Sequence, residues 1–140
     1  MTAKRFVLAN RTAMETILRP FGLGGTQWWV LSQVASGEAV RQRDLAEALH
    51  VERATASEIV LTLVRKKLVE QYPDPADQRQ KLLRLTGAGV QLWESMPDPL
   101  EKLYDIAFEG SRSHELATIA RVLGVATERL LAIRMKGATS

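Results

Sequence analysis

The chain has no cysteine among its 140 residues. That removes disulfides, thiol redox sensing and cysteine-ligated zinc. Histidine is nearly as scarce: His50 and His114 are the only two, far apart in sequence and with no carboxylate cluster at ligand spacing, so no metal site is expected. No nucleophile–base pair falls at helical spacing, and neither a phosphate-cradling glycine loop nor a His-Glu-x-x-His run occurs, which argues against catalysis. Long apolar runs are also missing. The early FVLA is cut off by Asn10 and Arg11, too short for a signal-peptide core, and no later run approaches the roughly 20 residues of a membrane span. A reducing cytoplasm with no membrane contact is the expected address.

What is present is ordinary in bulk. Hydrophobic residues make up 46% and charged residues 25%, and the length suits one domain with a true core, here 1–140. A net charge of +3 says little, but its distribution says more. Residues 41–86 hold nine Lys/Arg against seven Asp/Glu, whereas residues 87–140 hold six against seven. The central cations gather at Arg65-Lys66-Lys67 and from Arg79 to Arg84, a pattern suited to a phosphate-facing surface. Solvated helix ends and loops are the plainer explanation of the same clustering.

Periodicity predicts a mostly helical chain. Residues 3–18 place Phe6, Val7, Ala9, Ala13, Met14, Ile17 and Leu18 on a helix face, and Arg19-Pro20 ends it. TQWWVLSQVASG reads as a second helix stopped at Gly37. Ala39 and Val40 suit a very short extended segment. RQRDLAEALHV and ERATASEIVLTLVRKK then make two helices separated by a short turn near His50. In the second of these, Ala56, Ile59, Val60 and Leu63 form an inward stripe at i, i+3, i+4 and i+7. Ala54, Ser57, Glu58, Leu61 and Arg65 lie roughly opposite. This is a helix-turn-helix. LVEQY and KLLRL follow as two strands joined by the charged loop PDPADQRQ, which makes a wing. Thr86 is placed to cap the next helix, the prolines at 97 and 99 kink or split it, and a last helix carries Leu116, Ile119, Ala120, Leu123, Leu130, Leu131 and Ile133 on its apolar side.

The stretch QRDLAEALHVERATASEIVLTLVRKKLVEQYPDPADQRQKLLRLTGAG resembles the MarR family of bacterial transcription regulators. The likeness rests on the LA..L helix, the T-x-S recognition helix, the LVE strand, the D-x-R wing (Asp77-Gln78-Arg79) and the closing LT-x-x-G (Leu85, Thr86, Gly89). It implies a mainly α fold with a small β-wing (α+β): N-terminal helices over 1–36, a winged helix-turn-helix over 38–86 and C-terminal dimerisation helices over 87–140. It further implies a homodimer on palindromic double-stranded DNA, acting most often as a repressor, whose grip a small molecule often loosens. A winged-helix module that binds protein rather than DNA is the alternative.

A recognition helix of this kind meets base edges in the major groove with its early residues. The residues expected to touch DNA are therefore Arg53, Ala54, Thr55, Ser57, Glu58, Thr62, Arg65 and Lys66, with Arg41 and Arg43 from the preceding segment. Asp77, Arg79 and Lys81 join them from the wing. In the family a wing arginine enters the minor groove, which the resemblance implies for Arg79 braced by Asp77; a pairing of the two with each other is the simpler use of the same residues. Glu58 stands where the family often has arginine; a carboxylate repels phosphate but accepts from cytosine N4. Gln78 replaces a second wing arginine, and Lys67 stands where the family usually has glycine. No cofactor is expected. Arg11, Phe21, Trp28 and Trp29 are the candidates for a pocket, where family sensors often bind aromatic carboxylates or phenols with an arginine at the anionic end. Adjacent tryptophans on a helix point about 100° apart, so one of the pair belongs in the core.

Overall fold

A proline and four glycines punctuate the first third of the chain. The computed structural model describes residues 1–137, apart from the side chains of 134–136; the remaining residues of the expected C-terminal region lie outside the described residues. Helix α1 spans Thr2–Leu18 and buries only Met14 and Leu18. Pro20 stops it in a single 3-10 turn, Arg19–Phe21, and Gly22 reverses the chain at a left-handed φ of 69°. Helix α2 (Gly25–Ala35) follows and buries Trp28, Val30, Leu31 and Val34. The expected short extended segment is strand β1 (Val40–Arg41).

Helices α3 (Gln42–Leu49) and α4 (Arg53–Arg65) make the helix-turn-helix. On α4 the inward stripe packs as its spacing requires: Ala56 is 2% exposed, Val60 and Leu63 have no exposed surface, and Ile59 packs partly buried against the same core. Full burial of a valine or leucine contributes about 1.5–3 kcal/mol, so these positions hold the helix in place more firmly than its intrinsic propensity. Both helices end in the same closure. Val51 N–H donates to Ala46 O at 3.1 Å and His50 N–H to Glu47 O at 3.2 Å; Leu68 N–H donates to Leu63 O at 3.1 Å and Lys67 N–H to Val64 O at 2.9 Å. These are Schellman turns, whose pivot residue must be left-handed. Neither pivot is a glycine: His50 has φ 56° and Lys67 φ 61°.

Strands β2 (Val69–Pro73) and β3 (Lys81–Leu85) pair antiparallel, and β1 adds to the far side of β3, giving the order β1-β3-β2. Val69 and Leu83 face the main core. Leu82 is also buried. It lies on the other face of the sheet, with Tyr72 and Arg41 as its partners in register.

The wing is tied to the helix beyond it at one tight point. Thr86 N–H donates to Leu68 O at 3.1 Å. The Thr86 hydroxyl donates to Lys67 O at 2.6 Å and accepts from Gly89 N–H at 3.0 Å, capping helix α5 (Gly87–Ser95). A Cβ on Gly89 would sit 2.0 Å from Leu68 O, so only glycine lets the helix approach. The prolines split the next stretch: α5 ends at Ser95 and α6 (Pro99–Ala107) restarts it.

The chain divides into two compact units, Met1–Leu103 and Tyr104–Ser140. The second contains the end of α6, where the rings of Tyr104 and Phe108 lie 5.9 Å apart, a turn at Gly110, and the long helix α7 (Ser113–Gly137). Ile119, Leu123, Leu130 and Ile133 repeat at i, i+4, i+11 and i+14 on α7 and are all exposed. Among the described residues no helix is long and apolar enough to cross a membrane.

The two ends of the Lys67–Gly89 junction are expected to respond oppositely to substitution. Gly89→Ala should lower stability by about 3 kcal/mol through the collision with Leu68 O. Lys67→Gly should raise it by about 1 kcal/mol by relieving the left-handed pivot. Urea unfolding midpoints that move in opposite directions check both.

Candidate nucleic-acid interface

The wing is held by carboxylates. Asp74 is the one buried charged side chain among the described residues, 5% exposed. Its Oδ1 accepts Ala76 N–H at 2.9 Å, and its Oδ2 lies 3.3 Å from Arg41 Nε. The loop closes on itself through Asp74 N–H to Gln80 O at 3.0 Å and Gln80 N–H to Asp77 O at 2.9 Å. At the tip, Asp77 Oδ1 accepts both Arg79 N–H at 3.1 Å and Arg79 Nε–H at 3.2 Å. The pairing expected of the Asp-x-Arg spacing is therefore present. Arg79 pairs with Asp77, yet its side chain is 90% exposed, so the outer edge of the guanidinium still faces solvent.

Between α3, α4 and the wing lies a groove of about 330 Å³, lined by Gln42, Arg43, Ala46, Arg53, Ser57, Arg79, Gln80 and Lys81. Four of those eight are cations and none is a carboxylate. Arg43, Arg53 and Lys81 make no ion pair among the described residues. Across the groove wall runs an amide network: Gln71 Nε2 donates to Gln42 Oε1 at 2.6 Å, and Gln42 Nε2 donates to Ser57 Oγ at 3.1 Å. It locks α3, α4 and β2 together and takes one acceptor site of the Ser57 hydroxyl. The outer face of α4 is exposed at Ala54, Thr55, Glu58, Leu61 and Arg65. Thr62 is half-buried and its hydroxyl donates to Glu58 O at 2.9 Å.

The family model described as MarR family matches residues 21–80. The uncharacterized HTH-type transcriptional regulator YdcH of Bacillus subtilis is 30% identical over 102 residues, an alignment spanning 70% of this chain and 69% of that protein. The HTH-type transcriptional repressor IacR of Pseudomonas putida is 27% identical over 84% of this chain and 70% of its own length. In three dimensions, a mutant MarR from E. coli complexed with operator DNA superposes with a TM-score of 0.81 at 21% identity, covering 89% of this chain and 90% of that one. The chain belongs to the MarR family. It is a DNA-binding transcriptional regulator, and its relatives are regulators rather than enzymes.

Within this MarR-family regulator, several residues expected at DNA are committed to the protein itself. Lys66 does not line the groove: its Nζ donates to Gly22 O and, at 2.7 Å, to Gln27 Oε1, tying the end of α4 to the start of α2. Arg41 spends its Nε on Asp74, while Arg84 pairs with Glu70 and lies 4.8 Å over the Tyr72 ring. Gln42 and Gln80 line the groove although neither was expected there. Neutral amides carry no charge signal, and only their position beside Arg43 and Lys81 could have pointed to them.

The expected pocket needs more correction. A second cavity of about 460 Å³ is lined by Trp28, Ser32, Gln33, Trp93, Met96, Pro97, Asp98 and Leu100. Of the four residues expected to form a pocket, only Trp28 lines it, stacked on Trp93 with centroids 6.1 Å apart. Phe21 and Trp29 pack against the core instead, and Arg11 is exposed and paired with Glu15 at 3.4 Å. Arg11 and Trp28 are on different helices, and no spacing rule relates them. Asp98 uses its Oδ1 to accept Leu100 N–H at 2.9 Å, capping α6.

Asp74→Ala is expected to destabilise this regulator by about 2 kcal/mol, because a buried carboxylate loses a backbone donor and an arginine at once. Amide exchange should quicken across residues 74–80 while α4 stays protected. Hydrogen exchange resolved by residue checks it; uniform loosening would mean the carboxylate supports the whole fold rather than the wing.

Proposed function

We propose that this chain is a ligand-responsive repressor that acts as a homodimer on a palindromic operator. The observation that carries the DNA pose is the groove beside α4, with Arg43, Arg53, Arg79 and Lys81 on its walls and no carboxylate among them. A phosphate backbone entering it meets four cations, while the start of α4 approaches base edges and Arg79 reaches past the wing tip. Occluding a promoter in this way represses it.

Support for a dimer comes from exposed apolar surface among the described residues. Ile119, Val122, Leu123, Leu130 and Ile133 on α7, and Val7 and Leu8 on α1, are all exposed. Surface on this scale calls for a partner, and a second copy with the same faces satisfies it symmetrically. Two winged helices related by a two-fold axis then read half-sites about one helical turn apart.

The effector is a planar aromatic that enters the cavity beside Trp28 and Trp93. Among its lining residues no side chain is cationic and one, Asp98, is anionic, so an uncharged phenol fits better than an aromatic carboxylate. Ser32 and Gln33 supply polar contacts for a hydroxyl. Binding there shifts α2, to which the end of the recognition helix is tied through Lys66 and Gln27.

Two measurements test this reading. Arg79→Ala should weaken binding to duplex DNA and lower the slope of log affinity against log salt by about one; an unchanged slope would remove Arg79 from the phosphate contacts. Titration with phenol should quench tryptophan fluorescence saturably in the wild type and far less in Ser32→Ala with Gln33→Ala. Quenching by benzoate but not by phenol would reverse the proposed charge preference.

A further inference from the structure

The exposed ridge of the recognition helix carries a charge of the wrong sign for phosphate. Ala54, Glu58, Leu61 and Arg65 follow at i, i+4, i+7 and i+11, and all four are exposed. Helical neighbours able to neutralise Glu58 would stand three or four residues away. Those positions are Ala54, Thr55, Leu61 and Thr62, none of them basic. Thr62 binds the Glu58 backbone carbonyl and not its carboxylate, and Glu58 makes no ion pair among the described residues. The carboxylate thus stands unpaired in the middle of the exposed face of α4, beside a groove lined by four cations.

Resting on the DNA-binding reading above, we propose that Glu58 is a specificity-determining residue that selects a cytosine in each operator half-site. A carboxylate has acceptors only. In the major groove the matching donors are the exocyclic amines, N4 of cytosine and N6 of adenine, whereas guanine and thymine present acceptors that repel it. Adenine also shows its N7 acceptor beside N6, so a carboxylate meets one donor and one repulsive lone pair there. Cytosine presents its donor with an acceptor on one side only, the O6 of its paired guanine, whereas the adenine amine has N7 on one side and the O4 of its paired thymine on the other. Ala54 and Leu61 flank Glu58 along the ridge and give apolar surface to thymine methyl groups. They lie seven residues apart, about 10 Å along the helix axis, so the contact set spans about three base steps. The preferred half-site core is then a cytosine with thymine methyls on either side. The wrong bases are excluded by repulsion as much as the right one is held by attraction.

The test is selection from a randomised double-stranded DNA library by the full-length wild type, Glu58→Ala and Glu58→Gln. The position is exposed, so all three should fold alike, and circular dichroism and thermal melting confirm it. The wild type should enrich one invariant C·G pair per half-site. On the selected duplex, Glu58→Ala should bind that site about tenfold less tightly relative to its C-to-T variant, flattening the preference at that position alone. Glu58→Gln should move the preference there toward adenine, because a carboxamide offers both a donor and an acceptor to N7 and N6. Identical selected sequences from all three proteins, with both variants binding every duplex more tightly, would overturn the proposal and leave Glu58 as a solvated charge that only weakens phosphate binding. Failure of the wild type to bind any duplex in a salt-dependent way would overturn the DNA pose itself, and the cytosine contact with it. The two failures are told apart by binding to unselected DNA.

Discussion

The arrangement of recognition helix and wing depends on one backbone contact, the approach of α5 to the carbonyl of Leu68. That carbonyl accepts Thr86 N–H, and the space beside it is narrow enough that a single methyl on Gly89 would close it. The same three-residue turn ends the recognition helix, with Lys67 held left-handed. Because Thr86 also binds Lys67 O, one residue after β3 is fastened to both residues that precede β2. The wing therefore projects from α4 at a fixed angle. Everything proposed for DNA rests on that angle, since the cationic groove is the space between the two elements.

The cations divide by partner. Arg41, Lys66 and Arg84 are consumed within the protein, by a buried aspartate, a carbonyl with a glutamine, and a glutamate with a tyrosine ring. Arg43, Arg53 and Lys81 face the groove without an ion pair among the described residues, and Arg79 joins them from the braced tip. A net charge of +3 understates this surface, because the field at a groove depends on which charges are paired and where the rest converge. Removing one structural cation and one groove cation should thus have different signatures, the first in stability and the second in salt dependence.

Most of the fold was legible in the chain. The stripe at 56, 59, 60 and 63, the stop at Pro20, the wing strands and the cap at Thr86 each follow from local rules acting within four or five residues. Lys67 was legible as a departure from glycine, and it adopts the conformation that glycine would have favoured. Harder to read were contacts between elements. Leu82 alternates with the core-facing Leu83 yet is buried as well, on the opposite face of the central strand. Asp74 looked like one loop carboxylate among others until Arg41, thirty-three positions away, met it.

The elements and the outward ridge of α4 were determined by the sequence alone, since each depends on spacing along a helix or strand whose period is fixed by backbone geometry, and the order of motifs carried the resemblance to the family. Only the tertiary structure decided which cations are spent on protein partners, that Trp28 lines a cavity with Trp93 while Phe21 and Trp29 pack away, and that Arg11 has no part in that cavity. Those are properties of residues brought together from distant parts of the chain, and no local period encodes which distant side chain reaches a given charge first.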